Sequence, residues 1–139
     1  MEATVIKHSV TTTAPRERVW KAITSPKNLT KWMTETQFAD LTVGGKIAFT
    51  IDGKTTYGSI VVVEAPQRFA YRWHAHPDHD VMSLVTFHLD EVDEGTRITV
   101  IEEGFEALPV EVRQAQIDDH TEGWNHVLNS AVKTLSEEA

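Results

Sequence analysis

Apolar and polar residues alternate along five stretches in the middle of the chain. In "RFAYRWHA" Phe69, Tyr71 and Trp73 fall on one side of an extended backbone and Arg68, Arg72 and His74 on the other. This is the period of two shown by a strand with one face buried. The same reading gives strands in "GKIAFTID", "YGSIVVVEA", "VMSLVTFHLDEV" and "GTRITVIEEGF". Their inner faces carry Ile47, Phe49 and Ile51, then Val61 and Val63, then Val85, Phe87 and Leu89, then Ile98 and Val100. Thr86, His88, Asp90, Arg97, Thr99 and Glu103 look outward with His74 and His76. Asp52-Gly53 and Glu94-Gly95 supply tight turns, so the run predicts an antiparallel meander. An earlier strand is expected in "TVIKHSVTTT".

Helical spacing flanks this meander. Ala14-Pro15 opens "PRERVWKAIT", which places Val19, Trp20 and Ile23 on one side, and a shorter helical turn, "PKNLTKW", follows. From about Val110 to Leu135 the apolar period becomes three and four, through Ile117, His120, Trp124, Val127, Leu128, Ala131 and Leu135. A sheet with one apolar face needs a cover, and this helix is the only element large enough to supply it. The predicted class is α+β, a sheet wrapped around a long carboxy-terminal helix.

Composition narrows the picture. A chain of 139 residues, 40% hydrophobic and 24% charged, fits one soluble domain spanning residues 1–139. No apolar run approaches the roughly 18 residues of a membrane span. The amino terminus lacks the basic and apolar segments of a secretory signal, so the expected location is the cytoplasm. The absence of cysteine excludes disulfides, thiolate metal sites and cysteine nucleophiles. Net charge is −8, divided as +3 over residues 1–69 and −11 over residues 70–139. So acidic a surface repels phosphate backbones, so nucleic acid is not an expected partner, and small molecules or proteins remain.

Six motifs in order give the chain a family likeness: "AP...VWKAIT.P..L.KW" (Ala14 to Trp32), "D...GGKIAF" (Asp40 to Phe49), "G.I...P.RF.Y.W" (Gly58 to Trp73), "VTF.L.....GTRITV" (Val85 to Val100), Gly104-Phe105, and "H..GW...L" (His120 to Leu128). All four tryptophans lie inside them. In these motifs the chain resembles the START-like (SRPBCC) helix-grip domains, in the branch similar to the Hsp90 ATPase activator homology domain, over about residues 8 to 135. The resemblance implies a curved antiparallel sheet gripping the last helix, two small helices after the first strand, and a cavity between helix and sheet. It does not imply one activity, because the superfamily includes lipid and hormone binders, polyketide cyclases and aromatases, and co-chaperone domains. Ala131 stands where the family more often has leucine, which implies more room at that end of the helix or a larger neighbour.

The inner face is not uniformly apolar. By the alternation, Tyr57, Ser59, Tyr71, Ser83 and Glu102 share it, and a buried hydroxyl or carboxylate without a partner costs about 1–3 kcal/mol or more. An apolar hollow with a few convergent polar groups is the usual form of a small-molecule site. Its aromatic walls would come from Trp32, Phe38, Phe49, Trp73, Phe105 and Trp124, each of which, taken alone, reads as core before ligand contact. His120, one turn before Trp124, should point into the same space; as a structural hydrogen-bonding residue it needs no catalytic partner, and no activated nucleophile accompanies it. Glu102 and Glu103 face opposite ways, so paired-carboxylate chemistry is not expected.

"HAHPDHD" (74–80) gathers three histidines, but strand parity turns His74 and His76 outward, and His88 pairs near residues 68 to 70, beyond their reach. The segment reads as a hairpin end turned by Pro77 and Asp78, not as a metal site. Neither a phosphate-binding glycine loop nor a G-x-S-x-G elbow is present. The expected function is enclosure of a small apolar or aromatic molecule, with no cofactor. The alternatives are a cyclase- or aromatase-like enzyme in which His120 or Glu102 moves protons, and a co-chaperone-like interaction domain. The last is less expected, because full co-chaperones of the family carry a further amino-terminal domain. A homodimer is compatible with any of these.

Overall fold

Every alternating stretch pairs with its neighbour in one antiparallel sheet. The computed structural model describes residues 4–137. Their elements are β1 (Ile6–Thr12), α1 (Arg16–Thr24), α2 (Pro26–Trp32), β2 (Glu35–Gln37), β3 (Lys46–Ile51), β4 (Lys54–Glu64), β5 (Arg68–His76), β6 (His79–Val92), β7 (Gly95–Glu103), a single 3-10 turn (Phe105–Ala107) and α3 (Val110–Glu137). The spatial order is β1-β7-β6-β5-β4-β3-β2, so only β1 leaves its chain neighbours, crossing to pair Ile6 with Glu102 and Thr12 with Thr96.

Pro15 precedes α1 in extended backbone, and Ser25 caps α2, its hydroxyl accepting from the Asn28 N–H at 3.4 Å ahead of Pro26 in the first turn. These caps turn the chain twice within a few residues and close one end of the sheet. The long helix lays Ile117, Trp124, Leu128, Ala131 and Leu135 on the inner face against Phe87, Val85, Ile98 and Val100, all of them buried. Each of the larger aliphatic side chains contributes about 1.5–3 kcal/mol by leaving water, which makes this contact a principal force holding helix to sheet. The Arg18 guanidinium donates to the Leu135 carbonyl and so satisfies an open acceptor in the last turn of α3.

Two departures from the sequence reading matter for the site. Glu35–Gln37 form an edge strand on β3, too short for any alternation to show. The second departure lies in β4. A bulge between Ile60 and Val62 sets Ile60 opposite Tyr71 and Val63 opposite Phe69, three steps on β4 against two on β5. The extra residue reverses the parity of the strand below it. Counting back from Val61 and Val63 therefore misplaces Tyr57 and Ser59. Thr56 pairs with the inward Phe49, and Tyr57 is 53% exposed on the outer face with the Lys46 ammonium 4.4 Å from its ring centre. Ser59, beside the inward Ile60, shares that outer face.

The centre of the expected cavity is filled. Phe49, Phe69, Tyr71 and Phe87 have no exposed surface, and Tyr71 lies 5.0, 5.8 and 6.4 Å, centroid to centroid, from the other three rings. Open space lies instead toward one end of the sheet.

Candidate functional site

Glu102 stands near the end of β7, paired with Ile6 on one side and Val85 on the other, and is fully buried. Two strands over, Trp73 on β5 is paired with Ser83 on β6. Across the inner space, His120 and Trp124 sit four residues apart on α3, one above the other. Four donors converge on the carboxylate. Oε1 accepts from His120 Nδ1 at 2.8 Å and Trp124 Nε1 at 2.8 Å; Oε2 accepts from Trp73 Nε1 at 2.7 Å and Ser83 Oγ at 2.5 Å. A carboxylate offers about four acceptor positions, and all are taken.

This set decides the ionisation of the site. Burial pushes the Glu102 carboxyl up, but the hydrogen bond from His120 and the charge that ring carries when protonated, with the bonds from Ser83 and Trp124, outweigh it and hold the group below its ordinary value. Tyr71 moves the other way: burial, then the nearby Glu102 charge, push its phenol well above 10.0, so it stays protonated. Among the described residues its hydroxyl has one polar contact, the Met33 sulfur at 3.9 Å.

The imidazole is fixed by the same carboxylate. With Nδ1 donating to Glu102, Nε2 is directed to Gln116, whose side-chain nitrogen is 3.2 Å away. Phe105 meets the ring edge-on at 5.2 Å and Trp73 at 6.0 Å. The ring is held on three sides, and the side chain retains 14% exposure.

That exposed part faces a cleft of about 720 Å³ between α3, the β3–β4 hairpin and the end of the β5–β6 hairpin. Met33, Ile51, Trp73, Trp124 and Val127 form its apolar walls; Gln116 and His120 are polar groups on its helical side; Asp52, Lys54, Asp78 and Asp119 stand around it. Lys54 Nζ lies 3.9 Å from Asp78 and links the two hairpins.

Of the twelve residues proposed from sequence, five form one hydrogen-bonded unit: Trp73, Ser83, Glu102, His120 and Trp124. Three of them, Trp73, His120 and Trp124, also line the cleft. Trp32 donates to the Ala22 carbonyl at 3.2 Å and packs edge-on against Phe87, well inside the core. Phe38, Phe49, Tyr71 and Phe105 are packed in or against the core and do not line the cleft, and Tyr57 and Ser59 face away. The hairpin "HAHPDHD" turns at Pro77-Asp78 with His76 Nδ1 accepting the Asp78 N–H at 3.0 Å. His74 pairs regularly with Met82, on the opposite side of the strand from Trp73, and stands at the rim of the cleft; the register shift follows it, before His76. Among the described residues no cluster of three or more His, Asp or Glu could hold a metal ion.

Gln116, Gly123 and Val127 were missed as site residues. Their signal was present, since they lie within one or two turns of His120 and Trp124 on one helix. Thr56 and Met33 carried none; the β4 bulge decides the first, and the second sits at the end of α2.

A curved antiparallel sheet closed around a carboxy-terminal helix defines a helix-grip domain. The family described as "Activator of Hsp90 ATPase homolog 1-like protein" matches residues 13–136, and the chain belongs to it. No curated protein matches the sequence significantly. Among solved structures, protein MLL2253 from Mesorhizobium loti is 23% identical, with a TM-score of 0.84 over 97% of this chain and 98% of that one. DynU16, from the dynemicin biosynthetic locus, is 21% identical, with a TM-score of 0.82 over 97% of this chain and 48% of its own. The Aha1 dimer from Colwellia psychrerythraea is 18% identical, with a TM-score of 0.77 over 96% of each chain. At these identities the likeness shows the fold. No helix among the described residues is long and apolar enough to cross a membrane.

Proposed function

We propose that this domain binds a small apolar or aromatic molecule in the cleft beside α3. The observation that carries the reading is the state of Trp73 and Trp124. Both indole N–H groups are bound by Glu102, so what half-buried Trp73 offers the cleft, with the small part of Trp124 that reaches it, is ring surface with no unmet polar group. With Met33, Ile51 and Val127 they make a wall whose contact with a ligand is favourable by about 25 cal/mol per Å² of apolar area removed from water, before the cost of association. The occurrence of the same fold in DynU16, a protein of a biosynthetic locus, is in keeping with a small-molecule role.

Titration with naphthalene, followed through the four tryptophan indole ¹⁵N–¹H resonances, tests the proposal. Trp73 and Trp124 should shift together, while Trp20 and Trp32, which do not line the cleft, stay in place. Saturating naphthalene that moves none of them, or moves only Trp20 and Trp32, rejects it.

The alternative, a cyclase- or aromatase-like reaction in the same cleft, has one specific observation in its favour: an imidazole oriented by a buried carboxylate is the arrangement of a general base. If such turnover is found and survives His120→Ala, that role is removed.

A further inference from the structure

We propose that the cleft discriminates in favour of aromatic ligands bearing an acidic hydroxyl, a phenol or an enol, and that His120 Nε2 accepts this hydroxyl in place of the Gln116 amide. The inference rests on the ligand-binding reading above and adds the polar group that the ligand must carry.

The tautomer is the first step. Glu102 takes Nδ1 at 2.8 Å and has no acceptor position left over, since Trp73, Ser83 and Trp124 fill the others. The Nδ1 proton is therefore committed, and in the neutral ring Nε2 carries the lone pair. Among the described residues its partner is Gln116, one turn earlier on the same helix, at 3.2 Å. Gln116 is half-buried at the cleft wall and has rotamers that carry its amide away from the ring, so an incoming donor can take its place. A hydroxyl on an aromatic ring satisfies Nε2 while the ring lies against Trp73 and Trp124.

Other polar groups fit less well. The indole N–H groups that could have donated to a ligand carbonyl point into Glu102. The Tyr71 hydroxyl is fully buried against Met33. A carboxylate ligand would enter past Asp52, Asp78 and Asp119, against Lys54 and His74, which stand beside Asp78 and Asp80, and then meet the charge of Glu102 behind the imidazole. A neutral donor avoids these penalties. Its hydrogen bond gains from the carboxylate behind the ring, because a chain of polarised bonds strengthens as the terminal donor becomes more acidic.

The test uses 2-naphthol and 2-methoxynaphthalene, which share a ring system and differ in the hydroxyl proton, in NMR titrations of the intact chain. Wild type should bind 2-naphthol roughly tenfold more tightly, the value of one buried hydrogen bond. The His120 Nε2 resonance should move with 2-naphthol and not with the ether. His120→Phe keeps a ring against Trp73 and Phe105 without a lone pair and should bring the two affinities together. Should that variant fail to fold, Gln116→Leu leaves Glu102 untouched; it should tighten 2-naphthol several-fold more than the ether, because only the hydroxyl takes the lone pair that the amide releases. Equal wild-type affinities, or a Gln116→Leu effect equal for both probes, overturn the hydroxyl inference and leave the aromatic cleft standing. Binding of neither probe overturns both.

Discussion

Glu102 uses all its acceptor capacity inside the protein, and at the residue scale most of the expected behaviour follows from that. In Glu102→Gln one oxygen must serve where two now accept from His120, Trp124, Trp73 and Ser83, and the new amide hydrogens confront N–H groups. At least two buried donors lose their partner, for an expected loss of about 3 kcal/mol in urea unfolding. A loss below about 1 kcal/mol would show that the unit does not hold helix to sheet. The sign with pH follows from the lowered carboxyl. The unfolded group titrates near its ordinary 4.5 and the folded group lower, so the stabilisation is complete above 4.5 and is lost as pH falls from there through the folded value. The stability gap between wild type and Glu102→Gln should therefore narrow in acid; a gap that stays constant from neutral pH to about pH 3 contradicts the assignment.

At the scale of elements, the legibility of each strand depended on whether its period of two ran unbroken. In β5 as far as His74, in β6 from Met82 and in β7 it did, and Trp73, Ser83 and Glu102 could be placed inward from sequence alone. In β4 one inserted residue reversed the lower half, and nothing in "YGSIVVVEA" marks it, because Ile60, Val61, Val62 and Val63 are interchangeable as apolar strand residues. Tyr57→Ser now serves as a check on that correction. With Tyr57 on the outer face, stability should change by less than about 0.5 kcal/mol and naphthalene affinity not at all; loss of binding would return the residue to the cleft. The same strand depends on Gly58. A Cβ there would lie 1.8 Å from the Arg72 carbonyl oxygen, which the β4–β5 pairing brings close. Gly58→Ala should cost roughly 3 kcal/mol, read as a lower urea midpoint.

For the molecule as a whole, charge shapes what can enter. The chain carries −8, with the acidic excess in the half that contains β6, β7 and α3, and Asp78 and Asp119 from that half stand at the cleft. An anionic probe, 2-naphthoate, should bind more weakly than 2-naphthol, and the difference should shrink as salt screens the exposed carboxylates. A difference independent of ionic strength would place its origin in the buried Glu102 instead.

Periodicity in the chain was enough to set which faces are apolar, and apolar faces must be covered; the sheet-around-helix arrangement and the inward direction of Glu102 and His120 follow from that local rule. Where space remains beneath the helix follows from no local rule. It depends on how Phe49, Phe69, Tyr71 and Phe87 fill the centre, on the bulge in β4, and on the seating of α3 that brings His120 and Trp124 within 2.8 Å of Glu102. Those distances arise between residues far apart in sequence, and only close packing of the whole chain fixes them.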